Sequence, residues 1–226
     1  MEYFEAIYPD LLGRSATEFT NGTKKNLYQF DSTIINLSGY LIRDGLQISS
    51  NEQDSQIKVS IGLKNNCPSS IRFCSEQSES SEDIALVSRA INEAKIEKDD
   101  ILLFDRDISK AGSFKEFCQK DYKFITRVSV GRKHVIIRKN DITATACSES
   151  RIIEDVIVNI YSRSQKKPLT NNLRLIKMIN RAGNEIWFLS NLFDMPAYEV
   201  TELYRRRWDI EVFLSLSSKI WDISIF

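Results

Sequence analysis

The chain has 226 residues, 42% hydrophobic and 27% charged, which is typical of a globular protein able to bury its own core. It contains no run of about 18 apolar residues and no signal peptide, so the sequence favours a soluble, cytoplasmic protein with no membrane partner. Four cysteines lack the paired spacing of a zinc site and accompany a single histidine, His134, which we expect to be a packing or surface residue.

The charges are unevenly distributed, although the net charge is zero. Residues 1–100 hold 10 Lys and Arg against 16 Asp and Glu, whereas residues 101–226 hold 21 against 15. A basic C-terminal half is compatible with a polyanionic partner such as nucleic acid, but this signal alone is unspecific.

The N-terminal half shows the alternation and β-branched content of strands. After a lead-in segment at 1–24, strands are predicted at 27–37, 39–48, 56–63 and 71–74. A helix is predicted from Ser78 through Ile91 to Ala94, and the apolar run at 100–105 predicts a short buried strand that ends on Asp105.

The C-terminal half is predicted to be mostly extended. We expect a helix at 114–118, an extended segment at 122–130, a β-rich region at 131–180 and a buried strand at 185–190. Asp194 is predicted to cap a helix with Pro196 just inside it, and that helix should run from Ala197 without interruption through Glu211.

That last helix carries the most informative pattern in the chain. Tyr204, Arg207 and Glu211 fall at i, i+3 and i+7, so their side chains should leave one face of the helix. A carboxylate can ligate Mg²⁺, a guanidinium can grip phosphate oxygens, and a phenol can donate a hydrogen bond. The alternative interpretation is an ordinary solvated helix face.

Two aspartates strengthen the metal interpretation. Asp31 lies on the first strand and Asp105 ends a buried strand, so the two could be metal ligands on adjacent strands. Two Mg²⁺ ions about 4 Å apart can activate a water and stabilise the leaving oxygen of a phosphodiester. Each aspartate taken alone is also compatible with a simple strand end or turn.

Several spaced motifs, in this order, resemble the DDE transposases of bacterial insertion sequences. The resemblance is to the insertion-sequence-four family, whose signature is Tyr-x2-Arg-x3-Glu-x6-Lys. Tyr204, Arg207 and Glu211 match its first three positions, while Asp31 in FDSTIINLSGY and Asp105 in LLFDRDISKAGSF match the two catalytic aspartates. The resemblance covers roughly residues 27–213, including FITR at 124–127 and WFLSNLF at 187–193.

The resemblance implies a ribonuclease-H-like α/β fold. Its mixed sheet would be flanked by helices, with the β-rich insertion at about 131–180 lying between Asp105 and Glu211. The catalytic domain would span residues 25–226 after the lead-in segment.

The resemblance also implies an activity, namely metal-dependent cleavage and transfer of DNA strands at transposon ends. Asp31, Asp105 and Glu211 would be the catalytic residues and the ligands of two Mg²⁺ or Mn²⁺ ions. The partner would be double-stranded DNA, bound by a homodimer associated with the nucleoid. DNA contacts are expected from the aromatic and basic residues beside Glu211, namely Tyr204, Arg206, Arg207 and Trp208, although Trp208 is equally compatible with a core position.

Some positions depart from the family pattern. Ser218 stands where the signature has lysine, with Lys219 one position later, and Asp107 stands where the family has glycine. The sequence after Phe213 departs from the pattern, and the chain starts about 30 residues before Asp31. These features predict a truncated, poorly active copy. Two alternatives stay open: a non-catalytic DNA-binding or dimerising remnant, and a ribonuclease-H-like nuclease or resolvase that does not transpose.

Overall fold

The computed structural model describes residues 26–36, 56–73, 91, 96–106, 111–142, 150–162 and 167–221. The lead-in segment, the predicted strand at 39–48, Asp107 and most of the helix predicted from Ser78 lie outside these residues, although Ile91 itself is helical. For residues 216–221 only the backbone is described, so the side chain of Ser218 also lies outside.

The described part of the chain forms one sheet of nine strands with three bounded helices. The strands are β1 (Leu27–Asn36), β2 (Gln56–Lys64), β3 (Cys67–Phe73), β4 (Ile101–Phe104), β5 (Lys123–Val128), β6 (His134–Lys139), β7 (Arg151–Ile160), β8 (Leu173–Ile179) and β9 (Glu185–Ser190). The helices are α1 (Ala111–Gln119), α2 (Ala197–Arg205) and α3 (Trp208–Trp221).

The sheet is mixed, as the sequence predicts. Its order is β3-β2-β1-β4-β5-β9-β8-β7-β6, in which β1, β4 and β5 are parallel and the remaining neighbours are antiparallel. The region at 131–180 supplies β6, β7 and β8, so the β-rich insertion extends the same sheet through the pairing of β9 with β5. Glu211 follows this insertion on α3.

Helices cover both faces of the sheet because each central strand is apolar on both sides, which is the pattern of a buried strand. One face of the sheet buries an aromatic cluster under α1, in which Phe30, Phe104 and Phe117 stack in turn. The opposite face packs against α2 and α3. Val200 and Tyr204 of α2 meet residues of β1, β4, β5 and β9, while Ile210 and Leu214 of α3 meet β2.

Two predictions about the last helix are wrong. Asp194 does not cap it; Pro196 occupies the cap position with extended dihedrals (φ −53°, ψ 142°), and the helix begins at Ala197. Arg174 explains the difference, since its guanidinium donates to the carbonyl oxygens of Leu192 and Met195 and so holds this segment outside the helix. The helix is also interrupted at Arg206–Arg207, where the sequence predicts continuity.

Helix α3 continues past Glu211 through position 218 and ends at Trp221. No helix in the described residues is long and apolar enough to cross a membrane.

Candidate active site

The register of β1 and β4 brings the two aspartates together. In this parallel pair Gln29 lies opposite Leu103. Asp31 and Asp105 each lie two residues further along, Asp31 still on β1 and Asp105 directly after β4 ends at Phe104. Side chains alternate between the two faces of a strand, so residues 27, 29 and 31 on β1 share a face with 101, 103 and 105. Leu27, Ile101 and Leu103 contact the cluster that includes α2, which places both aspartates on the face covered by α2 and α3.

The backbone next to each aspartate holds its carboxylate. The amide of Ser32 donates to Asp31 Oδ1 at 2.8 Å, and the amide of Arg106 donates to Asp105 Oδ1 at 2.7 Å. The hydroxyl of Thr126, on β5, donates to the carbonyl oxygen of Asp105 at 3.2 Å. The first two bonds orient the carboxylates, and the third ties the residue that follows β4 to β5.

The break between α2 and α3 is a tight turn. Leu203 and Tyr204 accept from the amides of Arg206 and Arg207, and Arg206 accepts from Asp209, all with the i→i−3 spacing of a 3₁₀ turn. Residues three apart eclipse in such a turn, which brings the Arg207 guanidinium over the Tyr204 ring at 6.0 Å. Tyr204 and Arg207 therefore still lie side by side, as the predicted helix face requires, although the backbone between them is not a regular α-helix.

Arg207 lies between two of the three predicted ligands. Its Nη2 donates to Glu211 Oε1, and its Nη1 is 3.8 Å from Asp31 Oδ2. Only 4% of the Arg207 side chain is exposed. Among the described residues, Nε and Nη1 of Arg207 find no hydrogen-bond partner. A buried guanidinium with spare donors can accept an additional anion, such as a phosphate oxygen.

The charges of Asp105 and Glu211 both act on Asp31. Burial raises the pKa of Asp31 from 3.8 to about 6; the charges of Asp105 and Glu211 add to this, while the Ser32 amide and Arg207 oppose it. The Arg207 pKa is itself raised: burial lowers it, but the hydrogen bond with Glu211 and the charges of Tyr204, Asp105 and Glu211 outweigh that effect. Ionised Asp31 is thus incompletely compensated, and a bound cation would relieve this cost.

The donor chemistry fits a hard divalent cation, because all three predicted ligands are carboxylates. However, among the residues that the structure describes, no three His, Cys, Asp or Glu side chains are grouped closely enough to hold one metal ion. Glu211 contacts Arg207 instead. The three carboxylates are electrostatically coupled without forming a ready-made cluster, and their role as ligands stays a prediction.

The predicted DNA-contacting residues occupy different environments. Trp208 is 57% exposed, which excludes the core alternative, and the Arg207 guanidinium lies 5.3 Å from its ring centroid. Arg206 is half-buried near Asp209. Tyr204 is buried against Phe188, its pKa is raised mainly by burial, and its hydroxyl makes no well-formed hydrogen bond within the described residues.

His134 lies away from these residues. Its ring packs edge-on against Trp187 at 5.6 Å, and its Nδ1 is 2.6 Å from the carbonyl oxygen of Arg132. Of the two roles that the sequence leaves open, surface or packing, these contacts indicate packing.

Sequence reasoning missed two polar residues beneath the break. Gln29, fully buried on β1, donates to the side chain of Asn66 and to the carbonyl oxygen of Arg206. A glutamine inside an apolar strand, two residues before Asp31, is the signal that could have identified it. Asn65-Asn66 between β2 and β3 is the corresponding turn signal.

Comparisons with known proteins bear on the family and the fold. The family model described as a transposase DDE domain matches residues 24–224, and the match continues past Phe213, where the sequence interpretation ended the resemblance. A search of curated proteins found no significant match.

Among solved structures, the chain is similar to the cryo-EM structure of a piggyBac transposase synaptic complex with hairpin DNA. The TM-score is 0.50 at 9% sequence identity, and the likeness covers 95% of this chain and 44% of that one. The likeness confirms the predicted ribonuclease-H-like α/β fold. Because the family model matches most of its residues, the chain belongs to the family of transposase DDE domains.

Proposed function

We propose that this chain is the catalytic core, at residues 25–226, of an insertion-sequence-four type transposase that cleaves and joins DNA with divalent metal ions. The observation that carries the proposal is that Asp31 lies on β1 and Asp105 directly follows the adjacent parallel strand β4, while Arg207 approaches Asp31 and pairs with Glu211 of α3. The pKa of Asp31, raised by burial and by the charges of its two neighbours, supports a shared cation site.

Asp31, Asp105 and Glu211 would hold two Mg²⁺ or Mn²⁺ ions. Bound metals supply Lewis acidity for a phosphoryl oxygen and lower the pKa of water. The carboxylates of Asp31 and Asp105 are oriented by the amides of Ser32 and Arg106, so the protein fixes two ligands before any ion arrives. Glu211 would be the third ligand once it is no longer paired with Arg207.

Arg207 would exchange its partner on DNA binding. Without DNA, its guanidinium neutralises Glu211 and approaches Asp31. Its spare donors, Nε and Nη1, can take a phosphate oxygen of the strand to be cut, and phosphate binding would free Glu211 for metal. The Tyr204 ring would pack against the Arg207 guanidinium. The exposed Trp208 ring would offer a stacking surface for DNA, with Arg206 beside it.

The chemistry of the site and the fold both support a DNA partner. The similar piggyBac structure is a synaptic complex with hairpin DNA. We propose that the ends of a transposon are the substrate here, that two copies assemble on them, and that the protein acts at the nucleoid.

A second candidate is a protein that binds DNA without cutting it. The ion pair between Arg207 and Glu211 favours it, because that pair occupies a predicted metal ligand. Ser218 also favours it, since α3 reaches this position but lacks the cation that would help hold the scissile strand.

A nicking assay on supercoiled plasmid DNA with Mg²⁺ or Mn²⁺ separates these candidates. We expect the chain to nick near background and Ser218→Lys to nick faster. Ser217→Lys should be unchanged, because consecutive positions on an α-helix are separated by about 100°. Adding Glu211→Gln to Ser218→Lys should abolish nicking. The matched control is Glu202→Gln, whose carboxylate is equally exposed (37%) and also pairs with an arginine. DNA binding without nicking by any variant would favour the second candidate.

A further inference from the structure

The break between α2 and α3 has no cause in its own sequence. Neither proline nor glycine occurs in YRRRWD at 204–209, and the predicted helix runs straight through it. Sharp interruptions of a helix usually occur at such a residue or where a side chain inserts into the hydrogen-bond ladder. A side chain that packs against the break from another element can supply such a group.

Gln29 is that group. Its Nε2 donates to the carbonyl oxygen of Arg206 at 3.2 Å, across 177 residues of sequence. The same carbonyl accepts from the amide of Asp209, while the amide of Ile210 bonds to Arg207 instead of Arg206. The Gln29 side chain thus donates to the Arg206 carbonyl oxygen at the point where the i→i−4 hydrogen bonds of the helix are interrupted.

The turn between β2 and β3 holds Gln29 in place. Asn66 Oδ1 accepts from Gln29 Nε2 at 2.9 Å, and the Asn66 side chain also interacts with Asp209 in the first turn of α3, where it acts to lower the Asp209 pKa against the larger effect of burial. Asn66 adopts a left-handed backbone conformation (φ 68°), which asparagine tolerates better than most residues. The two amides therefore connect β1 and the β2–β3 turn to both sides of the break.

We propose that Gln29 and Asn66 are positioning residues, which set the break between α2 and α3 and thereby place the Arg207 guanidinium between Asp31 and Glu211. The position of Arg207 depends on the turn, because a regular helix would rotate its side chain relative to Tyr204. The contribution of Arg207 to DNA binding rests on the proposed function. The effect of Gln29 and Asn66 on where Arg207 lies does not.

The turn provides a matched pair of variants. Asn66→Gly removes the amide that holds Gln29 while glycine accepts the left-handed backbone without strain. Asn65→Gly makes the same change at the neighbouring left-handed position (φ 49°), where the side chain binds the Leu27 amide and Asn26 instead. Gln29→Met removes both donated bonds at nearly constant volume. If Gln29→Met does not fold, the comparison of Asn66→Gly with Asn65→Gly still tests the proposal.

The first readout is the NMR signal of the Arg207 Nε–H group, assigned with Arg207→Gln, together with the indole signal of Trp208, assigned with Trp208→Phe. We expect both signals to move in Asn66→Gly and in Gln29→Met, and to stay in place in Asn65→Gly. The proposal is overturned if Asn66→Gly leaves the Arg207 signal unchanged, or if Asn65→Gly moves it equally.

The second readout is affinity for a DNA duplex. We expect Asn66→Gly to weaken binding about tenfold, the low end for losing a charge-assisted hydrogen bond, and to add nothing to Arg207→Gln. If Arg207→Gln does not weaken binding while the Arg207 signal still moves in Asn66→Gly, the positioning stands and the proposed DNA contact fails. Additive losses in the double variant would show that Asn66 acts independently of Arg207, which overturns the positioning.

Discussion

Replacing Asp31 by asparagine should stabilise the metal-free protein at neutral pH. The folded state raises the pKa of Asp31 from 3.8 to about 6, chiefly because the carboxylate is buried and lies near Asp105 and Glu211. Each pKa unit corresponds to about 1.4 kcal/mol, so ionised Asp31 costs the fold up to about 3 kcal/mol. An asparagine avoids this cost and can still accept from the Ser32 amide.

The pH dependence follows from the sign of the shift. Because the folded pKa lies above the unfolded one, the stability that protonated Asp31 contributes is complete below about pH 3.8 and is lost as the pH rises through about 6. The gain in Asp31→Asn should therefore be largest above pH 6 and vanish toward pH 4. At about 2–4 °C per kcal/mol for a chain of this size, the increase in Tm should reach about 6–12 °C.

Thermal unfolding followed by circular dichroism at several pH values, in EDTA, measures this effect. The control is Asp121→Asn, since a hydrogen bond from Lys123 lowers the pKa of that exposed carboxyl and its removal should give no stabilisation. Saturating Mg²⁺ should stabilise the unmodified protein and not Asp31→Asn. The reasoning would be refuted if Asp31→Asn were less stable than the unmodified protein at pH 7.5 in EDTA and less stable by the same amount at pH 4.

Three further substitutions test other parts of the structure. Asp155→Ala should destabilise the protein by about 3–5 kcal/mol in urea unfolding, because it leaves buried Arg174 without its bidentate partner, whereas Glu154→Ala on the same strand should cost less. Gly62→Ala should cost about 1–3 kcal/mol, since its Cβ would lie 2.4 Å from Ser70 Oγ and 2.6 Å from Phe30 Cε1; Gly112→Ala, with no described atom within 4 Å, should be neutral or stabilising. Trp208→Ala should change stability by less than about 0.5 kcal/mol while weakening DNA binding in fluorescence anisotropy by about 1–3 kcal/mol, and an unchanged affinity would remove Trp208 from the proposed DNA surface.

The central strands could be predicted because their patterns are strong and local. The apolar run before Asp105 became β4, and the β-branched run around Asp31 became β1, with the two strands parallel and adjacent. Helix α1 and strand β9 also lie where their patterns indicate. These elements bury apolar side chains, which a single sequence reveals directly.

The errors concern features that depend on distant residues. The break at Arg206–Arg207 is absent from the local pattern, because the group that occupies the Arg206 carbonyl belongs to β1. The displaced cap before α2 has the same origin, since Arg174 of β8 binds the preceding carbonyls. Likewise, spacing indicated that Arg207 and Glu211 share a face, but not that Arg207 would pair with Glu211.

The central claim is that Asp31, Asp105 and Glu211 bind catalytic metal ions, and a crystal structure with Mn²⁺ tests it most directly. Anomalous scattering locates each ion independently of the protein model. We predict Mn²⁺ peaks about 2.0–2.3 Å from carboxylate oxygens of Asp31 and Asp105, with Glu211 released from Arg207 as a further ligand. Mn²⁺ bound elsewhere, or absent from these carboxylates at saturating concentration while Arg207 stays paired with Glu211, would contradict the claim.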